Sequence, residues 1–486
     1  MRWGHKSRRG AASGESWREA RDEVTGLVPY AAFVHLVAES LTGHAGTRSA
    51  GRPAVLLVDL EGVAEATAAE EHPAGDELLR LVATRVAREV GSLGVLARMS
   101  DHQLGVLFAD LSAPAVALDL AYRISASVSA PLVLASQRRV QLSVSCGLVT
   151  RDALDPRATA SDLLRGAGLA VREARRQGRN RIEVCTPELV AVADETLAIG
   201  KDLRQALQEK GLRVCYQPLV DLTHGSVLGF EALVRWSHPV HGHVSPSRFV
   251  PVAEEFGLIS ELGTMVLSTA TAQVQQWSST FRIPLDAHVN FSGVDLAQDG
   301  FVDTVEACLE ASGLPATQLV VEITEATVEP DLETARSRFD ALHDLGVRVA
   351  LDDFGTGRSA LSYLQSLAVD ILKVDRSYID SVDQPAAVSA VVPSDLPSGT
   401  GTRGDDLLRG VVAFGQALGI EVYGEGIEDE EQRLRLRRAG CDIGQGYLFA
   451  RPLPAEDAAA LLRGQAAVAD TLGARLIAAE GTPRSA

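Results

Sequence analysis

The chain lacks any apolar run long enough to cross a membrane. Its longest hydrophobic stretches are strand-sized, well short of the ~20 residues a spanning helix needs. A secretory leader is also not expected, because the basic start MRWGHKSRRG leads into AASGESWREARDE and not into an apolar core. Cysteine is scarce. Cys146, Cys185, Cys215, Cys308 and Cys441 are scattered with no CxxC pair, which argues against a disulfide framework or a zinc site and suits reduced thiols in a cytoplasm. Net positive charge is missing too. The 46 Lys and Arg are outnumbered by 64 Asp and Glu, and a formal charge of −18 disfavours non-specific binding to nucleic acid or an anionic membrane. A small anionic ligand then requires positive charge supplied locally at its site. No repeat occurs at solenoid or propeller periods. What remains, with 46% apolar and 23% charged residues over 486 positions, is a globular chain sized for two domains.

The chain divides by pattern. Residues 1–27 read as a polar arm, and 28–187 alternate strand and helix signals. PAVLLVDL (53–60) and LGVLARMSDHQLGVLF (93–108) predict strands, the latter two joined by the turn Met99–Gln103. GDELLRLVATRVAREV (75–90) and SDLLRGAGLAVREARRQG (161–178) predict helices, expected on one side of an antiparallel-centred sheet. A helical connector over 188–200 leads into a second half, 201–463. There eight strand-like runs recur: RVCYQPL, VLGFEALVRW, AHVNFS, LVVEIT, RVALDDF, DILKVDR, IEVYGEGI and IGQGYLF. Helix-sized segments between most of them predict a (β/α)8-type barrel. The stretch 384–406, rich in Pro, Ser, Gly and Thr, predicts a flexible insertion, and 464–486 a tail that frays.

Each strand-like run closes on a polar residue: Glu231, Asn290, Glu322, Asp352 with Asp353, Lys373, Glu425 and Gln445. In barrels of this kind, active sites are built at the C-terminal strand ends. Carboxylates and an amide gathered there call for hard divalent cations, which prefer oxygen. Glu231, Asn290, Glu322 and Asp352 fit one Mg²⁺ or Mn²⁺, and Asp352 with Asp353 a second. Two such ions suit in-line phosphoryl displacement. Beside both ions, the neutral form of Lys373 is expected to be less costly than in water, so that it could orient or deprotonate a metal-bound water. Arg235, on the same strand face as Glu231, and Gln217 would grip a phosphate. Gly355 and Gly357 allow a tight loop above. Taken singly, each carboxylate fits a solvated turn or helix cap equally well, and Lys373 a snorkelling surface lysine. The ordered set across successive strands favours the site.

Over 200–463 the sequence resembles the EAL domain family, TIM-like barrels that hydrolyse cyclic di-GMP to linear pGpG. The resemblance rests on YQPL (216–219), EALVRW (231–236), SPSRFVPVAEEFGLI (245–259), VNFS (289–292), VEITE (321–325), DDFGTGRSAL (352–361), LKVDRS (372–377), GEGIE (424–428) and GQGYLFARP (444–452). It implies metal ligation by Glu231, Asn290, Glu322, Asp352 and Asp353. It further implies assistance to the water by Lys373, support of the metal–water network by Glu425 and substrate contacts from Gln217 and Arg235. Gln445 would orient the site, and Glu325 would anchor a DDFGTG loop coupled to dimerisation. Three departures stand out: Arg358 for the usual aromatic and Ala360 for a serine on that loop, a long 384–406 insertion, and GEGIED for the more usual AEGVET. None removes a ligand.

Residues 28–187 resemble a GGDEF domain, the diguanylate cyclase fold with its ferredoxin-like α+β palm, through VTGL (24–27), LLVDLEG (56–62), EHPAGDELL (71–79) and QGRNRIEV (177–184). At the signature turn, however, Ser100, Asp101, His102, Gln103 and Leu104 replace Gly-Gly-Asp-Glu-Phe. Without those glycines the backbone cannot approach a nucleotide closely, and Gln103 is a far poorer Mg²⁺ ligand than a carboxylate. Thr67 stands where the family has a guanine-contacting Asn. Gly91 and Gly94 occupy the positions of the RxxD inhibitory site, and Asp59 alone cannot hold two ions. His102 reads as an exposed turn residue.

The expectation is a cytoplasmic, metal-dependent cyclic di-GMP phosphodiesterase. Its degenerate cyclase-like domain would be regulatory or dimerising, and the barrel would form a homodimer. The short N-terminal segment suggests no attached sensor, leaving regulation to a partner protein. Two rivals stay open: a receptor that binds the dinucleotide without cutting it, and a scaffold acting through protein contacts.

Overall fold

The computed structural model describes residues 20–42, 52–63, 66, 73–111, 113–155, 157–328, 331–354, 364, 367–380 and 403–466. Thr67, Gly355, Gly357, Arg358, Ala360 and most of the 384–406 insertion lie outside these residues. The chain forms two compact units, Met1–Leu197 and Ala198–Ala486.

The first unit is built on a six-stranded sheet. Its central strand, β2 (Ala54–Glu61), follows β1 (Val28–Pro29) and pairs antiparallel with both β4 (Gln103–Phe108) and β5 (Ser143–Thr150). The hairpin partner β3 (Val95–Arg98) and the edge strand β6 (Ile182–Val184) complete the sheet. The predicted strands and turn are therefore present. The placement of helices differs from expectation. Along β2, Ala54, Leu56, Val58 and Leu60 pack with Leu78, Val82 and Val86 of Pro73–Val90 and with Leu120 and Ile124 of Pro114–Ser129. The alternate residues Val55 and Leu57 pack with Phe33 and Val37 of Tyr30–Thr42 and with Leu163 and Ala170 of Ala160–Arg176. Helices thus cover both faces, which is why β2 opens as the continuous apolar run Ala54–Val58. The end of the expected polar arm is tied down. Asp22 accepts from the Thr25 amide and hydroxyl and from Arg98 Nη1 at 3.0 Å, and these contacts hold its carboxyl below the usual range against the cost of burial.

A helix, Pro187–Gln208, spans the predicted connector. Its Leu189 and Val190 join the first unit's core, and Ile199 and Leu203 are buried in the second's.

The second unit closes eight strands into a barrel: β7 (Leu212–Asp221), β8 (Val227–His238), β9 (Asp286–Asn290), β10 (Leu319–Thr324), β11 (Arg348–Phe354), β12 (Ile371–Val374), β13 (Glu421–Gly424) and β14 (Ile443–Gly444). From β8 to β14 all neighbours are parallel. Here a strict (β/α)8 pattern fails, because β7 runs antiparallel to both β8 and β14. The connection LTHGS (222–226) is a hairpin, too short for the dozen or so residues a parallel crossover needs. A helix begins at Arg403, inside the segment expected as loop, and residues 455–466 are helical.

Strand alternation sorts the barrel's side chains. Ala287, Val289, Val321, Ile323, Val349, Leu351, Leu372 and Val422 face outward into the core under the helices. The residues between them face inward. Leu219, Val320, Ala350, Ile371 and Tyr423 form an apolar layer inside the barrel. Above that layer, toward the C-terminal strand ends, the inward positions include Glu231, Asn290, Glu322, Asp352 and Lys373.

Candidate active site

Lys373 is fully buried at the centre of that polar layer. Its Nζ lies 2.6 Å from Glu425, 2.9 Å from Glu322, 3.6 Å from Asp352 and 3.7 Å from Glu231. Two amides knit the carboxylates together. Asn290 Nδ2 donates to Glu231 Oε1 at 2.7 Å, while Gln445 Nε2 donates to Glu231 Oε2 at 2.7 Å and to Glu425 Oε1 at 2.8 Å. Gln445 Oε1 is buried with no hydrogen-bond partner. Its amide orientation is fixed, since both carboxylates require the nitrogen.

Local backbone geometry sets these positions. Asn290 and Glu322 are register neighbours on β9 and β10. Asp352 and Asp353 sit where the β11–β12 register shifts, and Asp353 adopts φ 54°, a left-handed conformation unusual for a non-glycine residue. The irregularity lets consecutive aspartates both serve the rim. Oxygens of Asp352, Asp353 and Glu425 all lie within 4.8 Å of one another. Glu425 is followed by Gly426 at φ +67°, and a Cβ on Gly446 would lie 2.1 Å from Ile427 O. GEG and GQG therefore interlock at a distance only glycine permits.

The electrostatics are one-sided. Burial opposes the charge on Lys373, but Asp352, Glu231, Glu322 and Glu425 outweigh it and hold its pKa well above the usual value. The easier neutral form expected beside two cations is a separate matter, since the protein groups alone favour the charged lysine. The carboxyls bear the complementary strain. Burial pushes Glu322 up to about 7 despite Lys373, with Asp352 adding repulsion, and burial likewise raises Glu425 far above the carboxylate range. Asp353 is raised by burial, Asp352 and Asp375. Two unit charges about 4 Å apart interact by about 4 kcal/mol at an effective dielectric of about 20. Four carboxylates around one ammonium thus leave a surplus of acid that bound protons or cations must offset. This all-oxygen, over-acidic donor set fits hard divalent cations.

The remaining predicted residues are less central. Gln217 faces Glu231 across β7–β8, and its amide donates to Ala450 O at 3.3 Å. Arg235 is half-buried and donates to Val234 O, with no described contact to the lysine cluster. Glu325 is buried at the start of the short helix Glu325–Val328, where its charge raises the pKa of Tyr378 after burial has done so. Sequence reasoning missed His288, whose Nδ1 lies 2.8 Å from Glu322 Oε1. Its signal was its place two residues before Asn290, on the same inward face.

The first unit has a pocket of about 640 Å³ whose lining balances Glu61 and Asp101 against Arg175 and Arg179, beside Gly62 and His102. Buried Asp59 is ion-paired to Arg175 and accepts from Gln103 Nε2 at 3.2 Å, and Arg175 also lies 3.7 Å from Glu61. His102 is exposed at the turn, as expected, with its ring 4.0 Å from Asp59.

The closed barrel with its carboxylate-lined mouth, and the separate α+β unit before it in the chain, define a tandem two-domain architecture. The chain belongs to the EAL domain family, whose model matches residues 201–452, and the model of the diguanylate cyclase GGDEF domain matches 19–181. It is 35% identical over 407 residues to the bifunctional diguanylate cyclase/cyclic di-GMP phosphodiesterase MucR of Pseudomonas aeruginosa, covering 83% of this chain and 56% of that one. It is 33% identical to the cyclic di-GMP phosphodiesterase NbdA of the same organism, covering 89% and 52%. The chain thus spans about half the length of these relatives. Among solved structures, the EAL enzyme Bd1971 bound to cAMP and cyclic di-GMP superposes with a TM-score of 0.51 at 24% identity, covering 67% of this chain and 82% of that one, a likeness of fold. No helix among the described residues is long and apolar enough to cross a membrane.

Proposed function

We infer that the chain is a metal-dependent phosphodiesterase that opens cyclic di-GMP to linear pGpG. The observation that carries this is the set of four carboxylates crowded around the buried Lys373 ammonium at the barrel mouth. The names of its relatives support the substrate. Glu231, Asn290, Glu322, Asp352 and Asp353 would hold two Mg²⁺ or Mn²⁺ ions. When bound, such ions neutralise phosphoryl charge and acidify water. The chain's own groups then have distinct tasks. Lys373, held in place by Glu322 and Glu425, orients the attacking water through its N–H bonds. Glu425 and Gln445 fix Lys373 and Glu231 in register with each other. The free acceptor on Gln445 is available to a hydroxyl or water donor, and Gln217 and Arg235 steady the phosphates from β7 and β8. Water adds to phosphorus, one P–O bond breaks, and the proton balance closes on the released ribose hydroxyl.

In the first unit, Arg175 and Gln103 occupy the acceptors of Asp59, so this domain is regulatory or dimerising and does not act as a cyclase. A cytoplasmic homodimer through the barrel, with a regulatory protein partner, completes the proposal. Light scattering of the purified chain tests the dimer. For the reaction, the protein is incubated with cyclic di-GMP and Mg²⁺ or Mn²⁺, with EDTA as control. The reading requires pGpG in the metal arms only. Intact ligand bound in every arm favours the receptor instead.

A further inference from the structure

Glu322 is gripped from two sides. Its Oε2 accepts from Lys373 Nζ at 2.9 Å, and its Oε1 faces His288 Nδ1 at 2.8 Å. Both His288 and Glu322 are essentially without solvent exposure. When Glu322 is ionised, as it must be to ligate a cation, its carboxylate only accepts, so Nδ1 would carry the proton in this contact. His288 pairs in register with Glu231 and Val320, and its ring lies 5.9 Å from that of Tyr423, so it occupies the junction between the apolar layer and the polar one. Without it, Glu322 would keep its contacts with Lys373 and Glu231 but lose the one that holds Oε1 from beneath.

We propose that His288 is a positioning residue that fixes the rotamer of Glu322 from beneath and thereby sets the barrel's affinity for divalent cations. The inference rests on the metal reading above. Partners that hydrogen-bond a ligating carboxylate typically contribute 10- to 100-fold in metal affinity. A structural role alone would lower stability without this selectivity.

The test is calorimetric titration of Mn²⁺ into the metal-stripped full-length chain, alongside steady-state kinetics at varied Mn²⁺. His288→Ala is expected to weaken Mn²⁺ binding by about 10- to 100-fold, with turnover largely recovered at saturating Mn²⁺. His288→Asn, which places an amide donor near the Nδ1 position, is expected to restore most of the affinity. If His288→Ala does not fold, His288→Leu against His288→Asn makes the same comparison of shape without and with a donor. Unchanged Mn²⁺ affinity in His288→Ala overturns the inference, as does equal weakening by Ala and Asn. A wild-type chain that binds no Mn²⁺ sinks the metal reading and this inference together. One that binds Mn²⁺ in a His288-dependent way but leaves cyclic di-GMP intact sinks only the hydrolytic reading.

Discussion

Both units of this chain bury acids beside a basic residue, yet they resolve the charge differently. In the first unit, Asp59 is matched by Arg175 and Gln103, and Glu61 is approached by Arg175 and, at 3.9 Å, by Arg179. The pocket neutralises itself. In the barrel, Glu231, Glu322, Asp352 and Glu425 share a single ammonium. The presence of carboxylates therefore does not identify a cation site. The balance between acids and the cations built in around them does.

The contrast is broken most sharply at Lys373, the one cation in contact with these four carboxylates among the described residues, and at its partner Glu231. Lys373→Ala or Glu231→Ala is expected to lower the rate of pGpG formation by at least about 10³-fold, the scale of losing an orienting acid–base group, with the circular dichroism spectrum retained. Wild-type turnover by either variant would remove these residues from the mechanism. A second effect follows from protonation. Glu322, lifted to about 7, carries a proton for part of the time at neutral pH, and a bound cation must displace it. Mn²⁺ affinity should therefore rise as pH increases through about 7, with protons released, and level off above it. Calorimetry in buffers of different ionisation heat measures this, and affinity falling with pH would contradict it.

In the self-neutralised pocket the expected effects are on stability. Arg175→Ala strips the buried Asp59 of its cation. Because Arg175 is nearly half exposed, the cost should be about 2 kcal/mol, between surface and buried pairs. Urea unfolding reads it, and no shift in midpoint would show that Gln103 suffices. The smallest effect is expected from Asp59→Asn, which should leave the hydrolysis rate within about twofold, in line with most substitutions away from a site. A large loss would mean that the first unit's pocket takes part in barrel chemistry.

Much of the barrel site was legible because inward polar residues interrupt otherwise apolar strands. Glu322 in LVVEIT and Lys373 in ILKV break runs whose neighbours must be buried, and that period-2 signal survives without any coordinates. Other features were not so plain. The reversed β7 was recoverable in principle from the shortness of LTHGS, but similarity to a regular barrel concealed it. The two-sided cover of β2 was hidden because an apolar run does not reveal which helices lie on which face. Arg175 lies 116 positions from Asp59, in a helix whose charged face reads as solvated, so its ion pair was invisible to local pattern. His288 escaped because a lone histidine in a strand ordinarily signifies nothing. Only its contact with Glu322 gives it meaning.

Counting bound Mn²⁺ on the metal-stripped, full-length chain by electron paramagnetic resonance tests most directly whether the barrel's surplus acids exist to hold cations. The account predicts saturable, spin-coupled Mn²⁺ that disappears in Asp352→Asn and persists in Asp59→Asn. Mn²⁺ that remains free in the wild-type protein, or binding that vanishes with Asp59 and not with Asp352, would contradict it.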